Sequence, residues 1–86
     1  MYWDVVDVVP EADHCLFVRF KDGLNGRMRF LPDELTGALE PLQDGEFFRR
    51  VFVDNGAVAW PGDIDLAPDA MYVQIAREAK ARDRVS

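Results

Sequence analysis

The sequence predicts an α+β domain: a mainly antiparallel sheet, elements in the order β-β-β-α-(α)-β-β-α, and a last helix packed on one sheet face. Three observations carry this. Asn55-Gly56 sits between two short apolar runs. That pair marks a two-residue hairpin, because both central positions of a type I′ turn need φ > 0. The strand-like runs are grouped rather than alternating with long helical ones, as in antiparallel sheets. Finally, Met71, Tyr72, Ile75, Ala76 and Ala79 recur at helical spacing behind Pro68, a favoured residue for the first helical position.

Trp3 to Val9 is β-branched and aromatic and reads as a strand ended by Pro10. Apolar residues on both of its faces blur the alternation. Glu11-Ala12-Asp13 is a turn. His14 to Phe20 is the second strand, with Leu16, Val18 and Phe20 on one face and Cys15, Phe17 and Arg19 on the other. Lys21 to Gly26 is a loop with two glycines, and Arg27 to Phe30 is the third strand. There Met28 and Phe30 face inward, and Arg27 and Arg29 face water.

Pro32-Asp33-Glu34-Leu35 opens a short helix that Gly37 stops. Glu40-Pro41-Leu42 is expected to be extended, since the residue before a proline avoids the helical region. Asp44 can cap a second short helix from Gly45 to Arg50, with Phe47 or Phe48 turned inward. The two-residue loop then sets Asp54 opposite Ala57, Val53 opposite Val58, Phe52 opposite Ala59 and Val51 opposite Trp60. Val51, Val53, Val58 and Trp60 thus share one bulky apolar face, and Phe52 and Ala59 share the other. The first set, with Leu66, Met71 and Ile75, is the expected core. Pro61-Gly62 makes a corner, and the final helix begins at Pro68. Glu78 and Arg82 form an i,i+4 pair, and the basic end should fray from about Lys80.

Eighty-six residues make one domain, 1–86, able to bury one modest core. The single cysteine, Cys15, allows no internal disulfide and fits a reducing cytoplasm. No apolar run approaches the ~20 residues of a membrane span. Met1-Tyr2-Trp3-Asp4 has no basic or apolar signal region. Net charge is −6, and residues 77–84 hold four cations against two carboxylates, so the acidic charge lies in the rest of the chain. An acidic body repels phosphate, which disfavours nucleic acid as a partner. The basic end has a plain role in complementing the helix dipole.

Asp54, Asp63, Asp65 and Asp69 are the one carboxylate cluster worth testing as ligands for a hard cation. They lack the glycine and terminal glutamate of a calcium loop, and turn and helix-start hydrogen bonds are the favoured account of them. His14 and Cys15, as neighbours on a strand, would point to opposite faces and cannot form a nucleophile–base pair. The only serine is Ser86, and the six glycines form no phosphate-cradling pattern. Arg19, Arg27 and Arg29, or Arg49-Arg50, could meet an anion, but a solvated strand face and helix end explain them. No catalytic residue and no cofactor is expected.

Several stretches together resemble a known family. They are Leu16-Phe17-Val18-Arg19-Phe20-Lys21-Asp22-Gly23, Pro41-Leu42-Gln43-Asp44, and Phe48 three residues before Val51. Val58-Ala59-Trp60-Pro61, Asp65-Leu66-Ala67-Pro68-Asp69 and Tyr72 complete the set. The pattern, about Val5 to Ile75, resembles the small bacterial family called Domain of Unknown Function 2442. The resemblance implies a compact α+β domain and no known activity. Some relatives carry a helix-turn-helix domain after this one. Only one helix follows here, so no DNA-binding role is carried over. Others look like one member of a two-gene pair of toxin–antitoxin type. Many relatives have a Pro-Asn-Gly turn where this chain has Pro61-Gly62-Asp63-Ile64.

Two functions remain open on the sequence. The first is a non-catalytic, acidic protein-interaction module, antitoxin-like, with a small basic protein as partner. A homo-oligomer through a sheet edge is a variant of it. The second is a metal-dependent enzyme or small-ligand-binding domain using Asp63, Asp65 and Asp69.

Overall fold

The structure, a computed structural model, describes the backbone of residues 1–85 and the side chains of residues 1–81. It is α+β. Strands β1 (Val5–Glu11), β2 (Cys15–Phe20) and β3 (Asn25–Arg29) form one antiparallel sheet in that order. Strands β4 (Phe52–Asp54), β5 (Ala57–Trp60) and β6 (Ile64–Leu66) form a second. Between them lie two 3₁₀ stretches, Pro32–Glu34 and Gly37–Gln43, and the single turn α1 (Gly45–Phe48). Helix α2 (Pro68–Val85) closes the chain and packs on the inner face of the first sheet.

The first sheet corrects two expectations. Pro10 does not end β1 but lies within it, opposite Leu16. β1 pairs with β2 on one side only, and on such an edge a proline's missing N–H goes unmissed. A bulge at Val6 explains the blurred alternation: Val5 is opposite Phe20, but Asp7 is already opposite Arg19. Val5 and Val8 can therefore both turn inward. Gly26 is likewise in β3, opposite Val18, and not in the preceding loop. A Cβ there would stand 2.8 Å from Ile75 Cγ2, so glycine is what lets α2 approach the sheet.

Glu40-Pro41-Leu42 is not extended. It belongs to the second 3₁₀ stretch, and Gly37 opens that stretch rather than closing a helix. The Leu39 N–H donates to the Thr36 carbonyl, and the Asp44 N–H to that of Pro41. Neither bond needs the N–H that Pro41 lacks, and the coil buries Leu42 completely. Asp44 does cap α1, accepting from the Glu46 N–H at 3.0 Å, but the helix stops at Phe48 rather than Arg50.

The hairpin register is as expected for three pairs: Phe52 with Ala59, Val53 with Val58, and Asp54 with Ala57. Asn55 and Gly56 have φ of 50° and 80°, the type I′ signature. A Cβ on Gly56 would also meet the Asp4 side chain at 2.9 Å. The Val5 N–H donates to the Gly56 carbonyl at 2.8 Å, joining the two sheets at this turn. The chain then makes a sixth strand, beyond the five expected. Ile64–Leu66 turns back through Pro61-Gly62-Asp63 and pairs with β5, so there are two sheets of three strands rather than one of five.

One apolar cluster takes in both sheets and α2. Leu16, Val18, Phe20, Leu42, Phe48, Val58, Trp60 and Ile75 are at most 2 % exposed. Met71 is buried too, and Val51, Val53 and Leu66 pack partly buried against the cluster. Phe48 is its hub, with ring centroids 4.9 Å from His14, 6.0 Å from Phe30 and 5.9 Å from Trp60. The expected Glu78–Arg82 pair, and the basic end from residue 82, lie outside the described side chains.

Candidate functional site

Side chains alternate along β4, β5 and β6, so each strand sends one set to the core and one outward. The outward row is Phe52, Ala59 and Asp65, set side by side by the register. Asp54 lies two positions beyond Phe52 and shares its face. Asp63 follows Pro61-Gly62 in the turn, at φ 62°, a left-handed conformation that aspartate tolerates better than most residues. These residues line an open groove of about 240 Å³. Phe52, Ala59 and Trp60 are among its lining residues. Asp54, Asp63 and Asp65 stand around it, all exposed.

The structure thus brings together three of the four carboxylates singled out in the sequence. Asp69 is not among them, because it belongs to the first turn of α2 and does not line the groove. None of the four side chains appears in a hydrogen bond, and none is within 4.0 Å of a cation among the described residues. Nor do any three His, Cys, Asp or Glu side chains among the described residues converge as metal ligands would.

Carboxylates of the first sheet behave differently. Asp7 pairs with Arg19 at 3.5 Å, Glu11 with Arg27 at 2.8 Å, and Asp13 with Arg29 at 3.8 Å. Three of the five arginines considered for anion binding, Arg19, Arg27 and Arg29, are therefore already paired. The Glu11 hydrogen bond and charge raise the Arg27 pKa further. Asp22 accepts from the Leu24 N–H and from the Tyr72 hydroxyl, the latter at 2.5 Å. The Tyr72 bond holds the Asp22 carboxyl below its ordinary pKa, and the same bond pushes the Tyr72 phenol up.

His14 is not on a strand but in the β1–β2 turn, at φ 55°. Its Nε2 lies 3.1 Å from the Gln43 carbonyl, and its ring packs on Phe48. A cavity of about 120 Å³ beside it, lined by Phe30, Pro32, Leu35 and Gln43, is smaller than the ~300–1,000 Å³ of small-molecule sites. Burial raises the pKa of the Cys15 thiol, with the Glu11 charge adding to it, so little reactive thiolate forms near neutrality.

Phe52 is what the sequence reading missed. The hairpin register sets it on the outer face, opposite Ala59. A large aromatic on the face of a hairpin turned away from the core was the available signal, since Phe52 is 43 % exposed. Among the described residues, no helix is long and apolar enough to cross a membrane. The model of a family described as "Protein of unknown function (DUF2442)" matches residues 5–77. No curated protein and no solved structure matches the chain.

Proposed function

The chain belongs to the DUF2442 family, and from that premise we propose that it is a non-catalytic protein-interaction module, antitoxin-like, that binds a small basic protein in the bacterial cytoplasm. The observation that carries this reading is where the negative charge lies. Residues 31–76 hold nine carboxylates against Arg49 and Arg50, a net of −7. Residues 1–30 hold five against four cations, a net of −1. The acidic excess therefore belongs to the second half of the chain, where Asp54, Asp63 and Asp65 share one face.

The chemistry of the remaining groups supports the same reading. The lone histidine lies against a backbone carbonyl, and the lone thiol is held protonated. Complementary potentials speed encounter and suppress wrong pairings, so an acidic face selects a basic partner. Affinity capture from the native host, at ~0.1 M and ~1 M salt, tests this. Screening shortens from ~10 Å to ~3 Å over that range. A basic protein recovered at low salt and lost at high salt is the expected result. Nucleic acid in its place, or an acidic protein indifferent to salt, would sink the proposal.

A further inference from the structure

The outer faces of the two sheets carry related groups in different positions: Phe17 lies on the central strand of the first sheet, Phe52 on an edge strand of the second. On the first sheet the register sets Val9, Phe17 and Arg27 in one cross-strand row. Arg27 lies over the Phe17 ring, 5.5 Å from its centroid, and donates to the Glu11 carboxylate at 2.8 Å. One guanidinium is thus held by an aromatic face and a carboxylate together. On the second sheet the row is Phe52, Ala59 and Asp65. An outward aromatic again stands near carboxylates: Asp65 in its own row and Asp54 two positions along its strand. Between Phe52 and Asp65 the row has Ala59, only 5 % exposed, and it holds no arginine. All three residues of the row, with Asp54 and Asp63, line the open groove of about 240 Å³.

We infer that the outer face of β4-β5-β6 docks an arginine of a basic partner protein, its guanidinium stacked on Phe52 and bonded to Asp54 or Asp65. The inference rests on the interaction-module reading and names the surface and the residue chemistry that reading leaves open. Charge selects a cation, since none of the three groove carboxylates has one within 4.0 Å among the described residues. The Phe52 ring selects arginine over lysine, because a planar guanidinium stacks on a ring and bonds a carboxylate at two points. Phe17, Glu11 and Arg27 show the same recognition within this chain.

The test is a nuclear magnetic resonance titration of the full chain with the peptide acetyl-Gly-Arg-Gly-Arg-Gly-amide. Its lysine and glutamate counterparts serve as controls. Shifts should centre on the amides of Phe52, Ala59, Gly62, Asp63 and Asp65. The lysine peptide should bind several-fold more weakly, and the glutamate peptide should leave these signals in place. Phe52→Ala and Asp65→Asn, both at exposed positions, should each weaken arginine-peptide binding about tenfold, the scale of one charged or stacking contact. A variant carrying Asp33→Asn, Glu34→Gln and Glu40→Gln should bind like the parent. Shifts spread evenly over all acidic segments would overturn the inference, as would equal binding of the lysine peptide or undiminished binding by Phe52→Ala. A native partner that binds Phe52→Ala and Asp65→Asn as tightly as the parent overturns the groove while leaving the interaction module standing. Because the peptide arm needs no native partner, the two proposals can fail separately.

Discussion

Trp60 is 1 % exposed and donates its indole N–H to the Phe48 carbonyl at 2.8 Å. The side chain therefore fills the space between the second sheet and α1 and satisfies a backbone acceptor there. Trp60→Ala should cost ~3–5 kcal/mol, a large part of a small domain's stability. Trp60→Phe keeps much of the bulk but strands the carbonyl, and should still cost ~1–3 kcal/mol. Urea melts of both variants check this, and an unchanged midpoint for Trp60→Ala would contradict the core assignment. Tyr72 makes a different kind of contact, an exposed bond from α2 to Asp22 in the β2–β3 loop. The folded Asp22 pKa is lowered, so its contribution is present above the unfolded value and lost as pH falls through the folded one. The folded Tyr72 pKa is raised, so its contribution is present below the unfolded value and lost as pH rises through the folded one. With ordinary values near 4 and 10, the bond operates between about pH 4 and pH 10. Tyr72→Phe should be less stable than the parent across that window and converge with it on both sides. A constant difference from pH 2 to 11 would assign the loss to packing instead.

At the scale of elements, the contact between α2 and the first sheet depends on Gly26 and Ile75. A Cβ at 26 would lie 2.8 Å from Ile75 Cγ2, closer than such carbons pack. Ile75 is β-branched and stiff at χ1, so its methyl group cannot simply rotate away. Gly26→Ala should therefore destabilise the fold by ~1–3 kcal/mol, although alanine normally suits a strand better than glycine. Ile75→Ala opens a cavity at the same place. The double variant should be more stable than the two separate losses would give, with a coupling of ~0.5 kcal/mol or more. Strict additivity in a double-mutant cycle would mean that helix and sheet do not meet here.

Across the whole molecule, charge is divided between two regions that differ in how it is compensated. The first sheet neutralises its carboxylates with Arg19, Arg27 and Arg29. Residues 31–76 carry a net −7. Exposed ion pairs contribute little, so repulsion among the unneutralised carboxylates should dominate the response to salt. The melting temperature should rise as sodium chloride goes from ~0.01 to ~0.2 M, where screening shortens from ~30 Å to under 10 Å. Asp65→Asn should raise it at low salt and respond less to added salt. A melting temperature that falls with salt would show that the ion pairs of the first sheet outweigh the repulsion.

Local chemistry was legible in the sequence wherever a residue type settled the backbone by itself. Asn55-Gly56 determined a turn and with it the pairing of Phe52 with Ala59 and Val53 with Val58. Asp44 and Pro68 marked helix starts, and strict alternation placed Leu16, Val18 and Phe20 inside. The α+β class followed from the grouping of those elements. Tertiary structure decided the rest, where burial outweighed a local preference. Pro10 stays in a strand because β1 has an edge to spare, and Leu42 is buried by a 3₁₀ coil that Pro41 tolerates. Ile64–Leu66, too short to announce itself, becomes a strand because β5 offers it a partner. That last pairing also makes the acidic groove. Asp54 and Asp65 are eleven residues apart in the chain, and only two successive strand pairings set them on one face beside Phe52.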